Sequence, residues 1–220
     1  YAVLYPARQV GGDLYDFFIH ENTLFFAIGD VSGKGIPASL LMASTISLLR
    51  TLSSGSNSPS QIAYSLNNSI AERNEADMFV TFFIGMLDLR TGVMKYCNAG
   101  HTPPVLTSPD RTVAFFEMQS DLPLGILKNH DYQEYTYRFV SGSGILLYTD
   151  GVTDAENEKN EFYTRERLLE IVTQNQELHP REFIRSIIND IQSHIKSHEL
   201  SDDLSMLTFI YGSEWNIKKS

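Results

Sequence analysis

The turn His20-Glu21-Asn22 does most to constrain the fold. It joins two strand-like runs, residues 14–19 and 23–31, with no room for a helix between them. The two runs must therefore pair antiparallel as a hairpin. The arrangement recurs at Arg90-Thr91-Gly92, between 79–89 and 93–98, and at Ser108-Pro109-Asp110-Arg111, between 105–107 and 113–116. Further strand patterns occupy 2–6, 132–140, 144–148 and 204–211. Hairpins in place of alternating βαβ units imply antiparallel sheets. Helical spacing appears at 36–52, 59–72, 164–172 and 180–196, and Ser58 to Gln61 reads as a capping box. The first of these helices is apolar nearly all round, which predicts a helix that is buried or packed on two faces. With 42% hydrophobic residues there is enough apolar strand for two sheets packed face to face. The expectation is an α+β fold in one domain over residues 1–212, with a patternless tail at 213–220.

Chemistry concentrates at I-G-D-V-S-G-K-G-I-P, residues 28–37. Asp30 ends a strand beside Gly29, Gly33 and Gly35, and glycine permits positive φ and close approach of a ligand. The stretch is not a nucleotide-hydrolase phosphate loop, because Gly29 and Gly33 are one residue too close and Lys34 is followed by Gly35 rather than a hydroxyl. Asp13, Asp150 and Asp202 (or Asp203) share the setting of Asp30, a strand terminus with glycine usually adjacent. The hairpin register brings Asp13 and Asp30 to the same end of two paired strands. Converging carboxylates repel unless a cation lies between them. All-oxygen donors select magnesium or manganese over zinc, and two such ions form a hydrolytic site.

Other readings are weaker. Glu161 is twelfth from Asp150, as a calcium loop requires, but Val152 and Ala155 stand where an oxygen ligand and glycine belong. His101, flanked by Gly100 and two prolines, suits a structural hydrogen bond, and Cys97 suits a buried small hydrophobe. The sequon Asn67-Asn68-Ser69 falls on a helix pattern. A net charge of −10 disfavours nucleic acid as a partner. One cysteine allows no internal disulfide and fits a reducing, cytoplasmic setting. No run of some 18 apolar residues is seen, so no membrane span is expected. The start at Tyr1, already inside a strand pattern, suggests a fragment of a longer protein whose preceding region could attach it to a membrane.

Five motifs in order, P-A-R-Q-V-G-G-D-L-Y-D-F, G-D-V-S-G-K-G-I-P-A-S-L-L-M, N-A-G-H-T-P-P, L-Y-T-D-G-V-T-D-A and S-D-D-L-S-M-L, resemble the SpoIIE/RsbU type of metal-dependent protein serine/threonine phosphatase, a bacterial branch related to type 2C phosphatases (PPM). The resemblance covers about residues 1–211. It implies an α-β-β-α sandwich and hydrolysis of phosphoserine or phosphothreonine by a hydroxide bridging two metal ions, manganese or magnesium. Asp30 would bridge both ions, with the Val31 carbonyl as a further ligand. Asp150 and Asp202 would complete one ion's site, and Asp13 would bind the other directly or through water. Arg8 stands where relatives can carry a phosphate-binding arginine. Where this chain has Asp202-Asp203 the eukaryotic branch carries Asp-Asn, so the resemblance makes Asp203 a hydrogen-bonding position that tolerates asparagine. The eukaryotic Asp-Gly-His is here Asp30-Val31-Ser32, which leaves the general acid unassigned, with His101 a weak candidate. The implied partners are a phosphorylated anti-sigma-factor antagonist, an upstream sensor domain and a possible second copy of the chain. The alternative is a catalytically silent module that holds a regulatory partner.

Overall fold

A computed structural model describes residues 1–8, 10–53, 55, 57–72 and 78–212, so the tail expected at 213–220 lies outside the described residues. In chain order the elements are β1 (Ala2–Tyr5), β2 (Leu14–His20), β3 (Thr23–Val31), α1 (Ile36–Ser53), α2 (Pro59–Glu72), β4 (Val80–Asp88), β5 (Val93–Ala99), β6 (Val105–Thr107), β7 (Val113–Phe115), β8 (Tyr135–Arg138), β9 (Gly144–Tyr148), α3 (Arg165–Asn175), α4 (Pro180–Ile195) and β10 (Leu204–Ile210). They form two five-stranded sheets, ordered β1-β10-β9-β6-β7 and β2-β3-β4-β5-β8. The hairpin is in the expected register, from Leu14 opposite Gly29 to His20 opposite Thr23.

Strand alternation sorts the core into three layers. Along β3, Phe26 and Ile28 point between the sheets, where they meet Phe83, Leu147 and Leu207. Ala27 and Val31 point the other way, toward α1 and α2. The second sheet packs Leu146, Tyr148 and Met206 against Leu168, Ile184 and Ile187 of α3 and α4. The result is an α-β-β-α sandwich. Between the sheets Phe26 meets Phe209 edge-on at 5.1 Å between ring centroids. The Phe26 ring nests on Gly85, where an added Cβ would lie 2.2 Å from its Cζ.

Helix α2 begins with the capping box. The Ser58 amide donates to Gln61 Oε1 at 2.8 Å, and the Gln61 amide reaches back to Ser58 Oγ at 3.4 Å. Its Asn67 is fully buried. Asn67 Nδ2 donates to the Leu127 carbonyl and its Oδ1 accepts from the Gly125 amide, so this sequon asparagine is a structural tie and no glycan acceptor.

Helix α1 corrects two expectations. It buries one face, through Ala38, Thr45 and Leu49, while Ile36 and Leu40 are 70% and 65% exposed. It is not buried all round, because one sheet and α2 cover it from one side. Its 18 residues are also long and apolar enough to cross a membrane by length and composition alone, contrary to the expectation of no such run. The strand expected at 132–140 shrinks to Tyr135–Arg138, because Tyr132 turns into the core beneath α2 and its hydroxyl donates to the Pro123 carbonyl at 3.3 Å. Helix α3 starts one residue late and runs three further than read. Thr164, at φ 70°, caps it by accepting from the Arg167 amide.

Candidate metal centre

One end of the sandwich gathers the ends of strands from both sheets. The hairpin puts the start of β2 beside the end of β3. Antiparallel pairing puts the start of β10 beside the ends of β9 and β1. Asp13, Asp30, Asp150 and Asp202 therefore arrive at a shared edge from chain segments far apart. Asp13 and Asp30 keep the parity of Tyr15 and Ile28 and so point between the sheets.

Asp13 is 2% exposed, and its Oδ2 accepts from Thr149 Oγ1 at 2.7 Å. Burial pushes its carboxyl up to about 8, against the hydrogen bond from Thr149, and repulsion from Asp30 and Asp203 adds to the rise. Burial also raises Asp30, to about 7, with repulsion from Asp150, Asp202 and Asp203; a hydrogen bond shared with Asp13 opposes the rise. Asp150 opens a 3-10 turn, Asp150–Val152, after β9. Its carboxyl is raised by the surrounding protein first and by Asp154 and Asp202 next. These carboxyls thus carry more negative charge than the site can comfortably hold.

Asp202 and Asp203 separate cleanly. Asp203 is buried and serves the backbone. Its Oδ1 accepts from the Ala7 amide at 2.8 Å, and its Oδ2 accepts from Gly12 at 2.6 Å and Asp13 at 3.3 Å. This clamp explains two glycines. A Cβ on Gly11 would lie 2.2 Å from Asp203 Oδ2, and one on Gly151 would lie 1.9 Å from the Asp203 carbonyl. Asp202 stays half-exposed and pairs with Lys34 Nζ at 2.9 Å. The Val31 carbonyl faces the same loop, since a Cβ on Gly12 would lie 3.0 Å from it. Arg8 is exposed on the loop between β1 and β2. Among the described residues no hydrogen bond or ion pair joins it to the aspartates.

His101 does not belong to this set. It is 4% exposed, with Nδ1 3.0 Å from Thr81 Oγ1 and Nε2 3.1 Å from the Tyr148 carbonyl. The carbonyl can only accept, so Nε2 carries the proton and Nδ1 accepts from the threonine. Burial pushes His101 down to about 4, so it is neutral and fully engaged, and it is no general acid. Burial pushes Cys97 up to about 12, which leaves it an inert core residue. Asp150 and Glu161 form no calcium loop: Asp150 follows a strand, and a bridge pairs Glu156 with Phe162.

Hard divalent ions fit this donor set. It is all oxygen, strongly anionic and partly desolvated, and the Ser205 hydroxyl beside Asp13 is buried without a well-formed hydrogen bond. Among the described residues no three His, Cys, Asp or Glu side chains are close enough to ligate one ion between them. With the side chains as they stand, an ion here would take one or two carboxylates and water for the rest of its shell, which is the habit of magnesium, and a third carboxylate would have to move in. Sequence reasoning missed Thr149 and Lys34. Thr149 immediately precedes Asp150, and strand alternation beyond β9 could have turned it toward Asp13. Lys34 lies inside the G-D-V-S-G-K-G motif.

The family model for Stage II sporulation protein E (SpoIIE) matches residues 20–210. The chain belongs to the SpoIIE family. It is 30% identical over 207 residues to phosphoserine phosphatase RsbU of Bacillus subtilis, covering 94% of this chain and 61% of RsbU. The fold matches the SiaA-PP2C domain of Pseudomonas aeruginosa at a TM-score of 0.85 and 17% identity, covering 96% of this chain and 85% of that one. It also matches RsbX in complex with magnesium at a TM-score of 0.70 and 18% identity, covering 94% of this chain and 92% of that one. The two-sheet sandwich of this SpoIIE-family chain is therefore the PP2C fold. Its four aspartates lie where the strands of both sheets end.

Proposed function

We propose that this SpoIIE-family domain hydrolyses phosphoserine or phosphothreonine on a regulatory protein of the anti-sigma-factor-antagonist type, with two divalent ions, manganese or magnesium. The observation that carries the reading is the convergence of Asp13, Asp30, Asp150 and Asp202 on one edge, with Asp13, Asp30 and Asp150 raised by burial and by mutual repulsion. The name of RsbU, a phosphoserine phosphatase, supports the substrate class.

Asp30 would touch both ions, helped by the Val31 carbonyl. Asp150 and Asp202 would close on one ion beside Asp30 as it binds, because no three of these side chains stand within reach of a single ion beforehand, and Asp13, oriented by Thr149, would serve the other. When bound, the ions supply Lewis acidity and lower the pKa of water for attack at phosphorus. Arg8, exposed three residues after β1 and next to Ala7, whose amide Asp203 binds, would turn toward a phosphate. His101 is neutral and occupied, so the proton for the departing serine comes from water. The partners in this reading are the phosphoprotein, a sensor domain elsewhere in the full-length chain, and a second copy of the domain; the setting is the cytoplasm.

Hydrolysis of p-nitrophenyl phosphate with and without manganese tests the reading, together with Asp30→Asn. Losing a carboxylate shared by both ions should reduce turnover at least about a hundredfold and leave circular dichroism unchanged. Wild-type turnover in that variant would refute the assignment. Manganese-independent inactivity of the wild type would favour the silent-module alternative.

A further inference from the structure

Among the described residues, the five aspartates of the site make one ion pair, and it is with Lys34. The Lys34 ammonium lies 2.9 Å from Asp202 Oδ2 and also donates to the Ser201 carbonyl at 2.7 Å. Lys34 stands between Gly33 at φ +89° and Gly35 at φ +82°, and a Cβ added to either glycine would meet nothing within 4 Å. Those glycines therefore serve backbone shape, and the turn stands in open space. Both partners of the ion pair are about half-exposed, at 44% and 45% of their side-chain surface. Such a pair is weak and exchangeable. Its geometry places a monovalent cation on the carboxylate that, in the reading above, takes a divalent one.

We propose that Lys34 is a displaceable counter-ion of the metal centre and, once displaced, a contact for the substrate phosphate. The inference rests on the metal-dependent reading of the site. Before loading, the ammonium offsets part of the repulsion among the carboxylates. A dication binding Asp202 must expel it, because both cannot sit on the same oxygen. The ammonium leaves with its proton, so the exchange changes no covalent bond. Its four-carbon stem remains anchored beside Asp202. The nearest new anion within its reach is then a phosphate drawn to the ions. The apparent metal affinity is thereby held down until an anion arrives to receive the lysine, which couples metal retention to substrate.

Calorimetric titration of manganese into metal-free protein tests the first half. Lys34→Met keeps the stem and removes the charge, and should bind manganese about two- to fivefold more tightly than wild type. Titration of inorganic phosphate into the manganese-loaded proteins tests the second half. There the variant should bind about tenfold more weakly. Unchanged or weakened manganese binding, or unchanged phosphate binding, overturns the proposal and leaves the pair as a tie between two loops. Thermal melting checks that the variant folds, and Lys34→Gln replaces it if methionine is poorly tolerated. If wild type binds no manganese at all, the metal reading falls and the proposal with it. Equal manganese binding in wild type and variant sinks this proposal alone.

Discussion

At the scale of single residues, Asp202 and Asp203 have the same side chain and opposite surroundings. An extended chain would separate them in the sequence, since neighbours in a strand face opposite ways, but both lie before β10, which starts at Leu204, and it is the backbone amides that sort them. The tolerance of asparagine at 203 does not carry over. Both carboxylate oxygens of Asp203 accept from backbone amides, and an amide nitrogen in place of either would face an N–H. Asp203→Asn should therefore lower unfolding stability by about 1–3 kcal/mol, read from urea midpoints. Asp202→Ala should leave the midpoint nearly unchanged and weaken manganese binding in calorimetry. A reversal of the two outcomes would exchange their roles. Four of the five aspartates were legible as strand-end acids, and Asp203 as a hydrogen-bonding neighbour. The three amides it binds were not legible, because they lie about 190 positions away along the chain and meet it only once both sheets are closed.

At the scale of elements, the strands were more legible than the surface of the helices. Period-two patterns and tight turns set the hairpins to within a residue or two, because a slip would turn every core side chain outward. For α1 the apolar pattern gave a helix but not its exposure, since apolar residues that pack and apolar residues that project look alike in sequence. Ile36 and Leu40 project from the first turns of α1, six and ten positions after Asp30. A partner that grips this face would push on a metal-site strand. Leu40→Glu should thus leave the midpoint of the isolated domain within about 0.5 kcal/mol of wild type, yet change the response of the full-length protein to its stimulus; equal stimulated activity would dismiss the coupling. Gly85→Ala belongs to the same scale. Its methyl would strike the Phe26 ring, which Phe209 and Phe83 hold in place. The expected loss is about 1–3 kcal/mol, measured by denaturant unfolding.

For the whole molecule, the site's charge governs how stability depends on pH. Asp13 and Asp30 hold protons in the folded state up to about 8 and about 7, while their unfolded forms lose them near the ordinary value of 3.8. Through that range the folded state binds more protons, so stability falls as pH rises. His101 acts oppositely, but only between about 4 and its ordinary 6.5, where the unfolded state takes up the proton. Between pH 6.5 and 8 the two carboxylates are opposed by the Tyr1 amino group alone, which burial lowers from its ordinary 8.0, and two groups outweigh one. The urea midpoint of metal-free protein should drop across that window, and manganese should remove the drop. A flat metal-free profile would contradict the buried-charge account. The clamp from Asp203 to Gly12 closes a separation of 191 residues, and Thr149 reaches Asp13 across 136. Contacts so distant in sequence form late on a folding route, after the hairpins that cost little loop entropy. The ion-binding edge should thus be absent from the rate-limiting barrier in the forward direction. Stopped-flow kinetics should show manganese slowing the unfolding limb while refolding proceeds at its metal-free rate, so that the metal acts as a latch on the finished domain and never as a template for it.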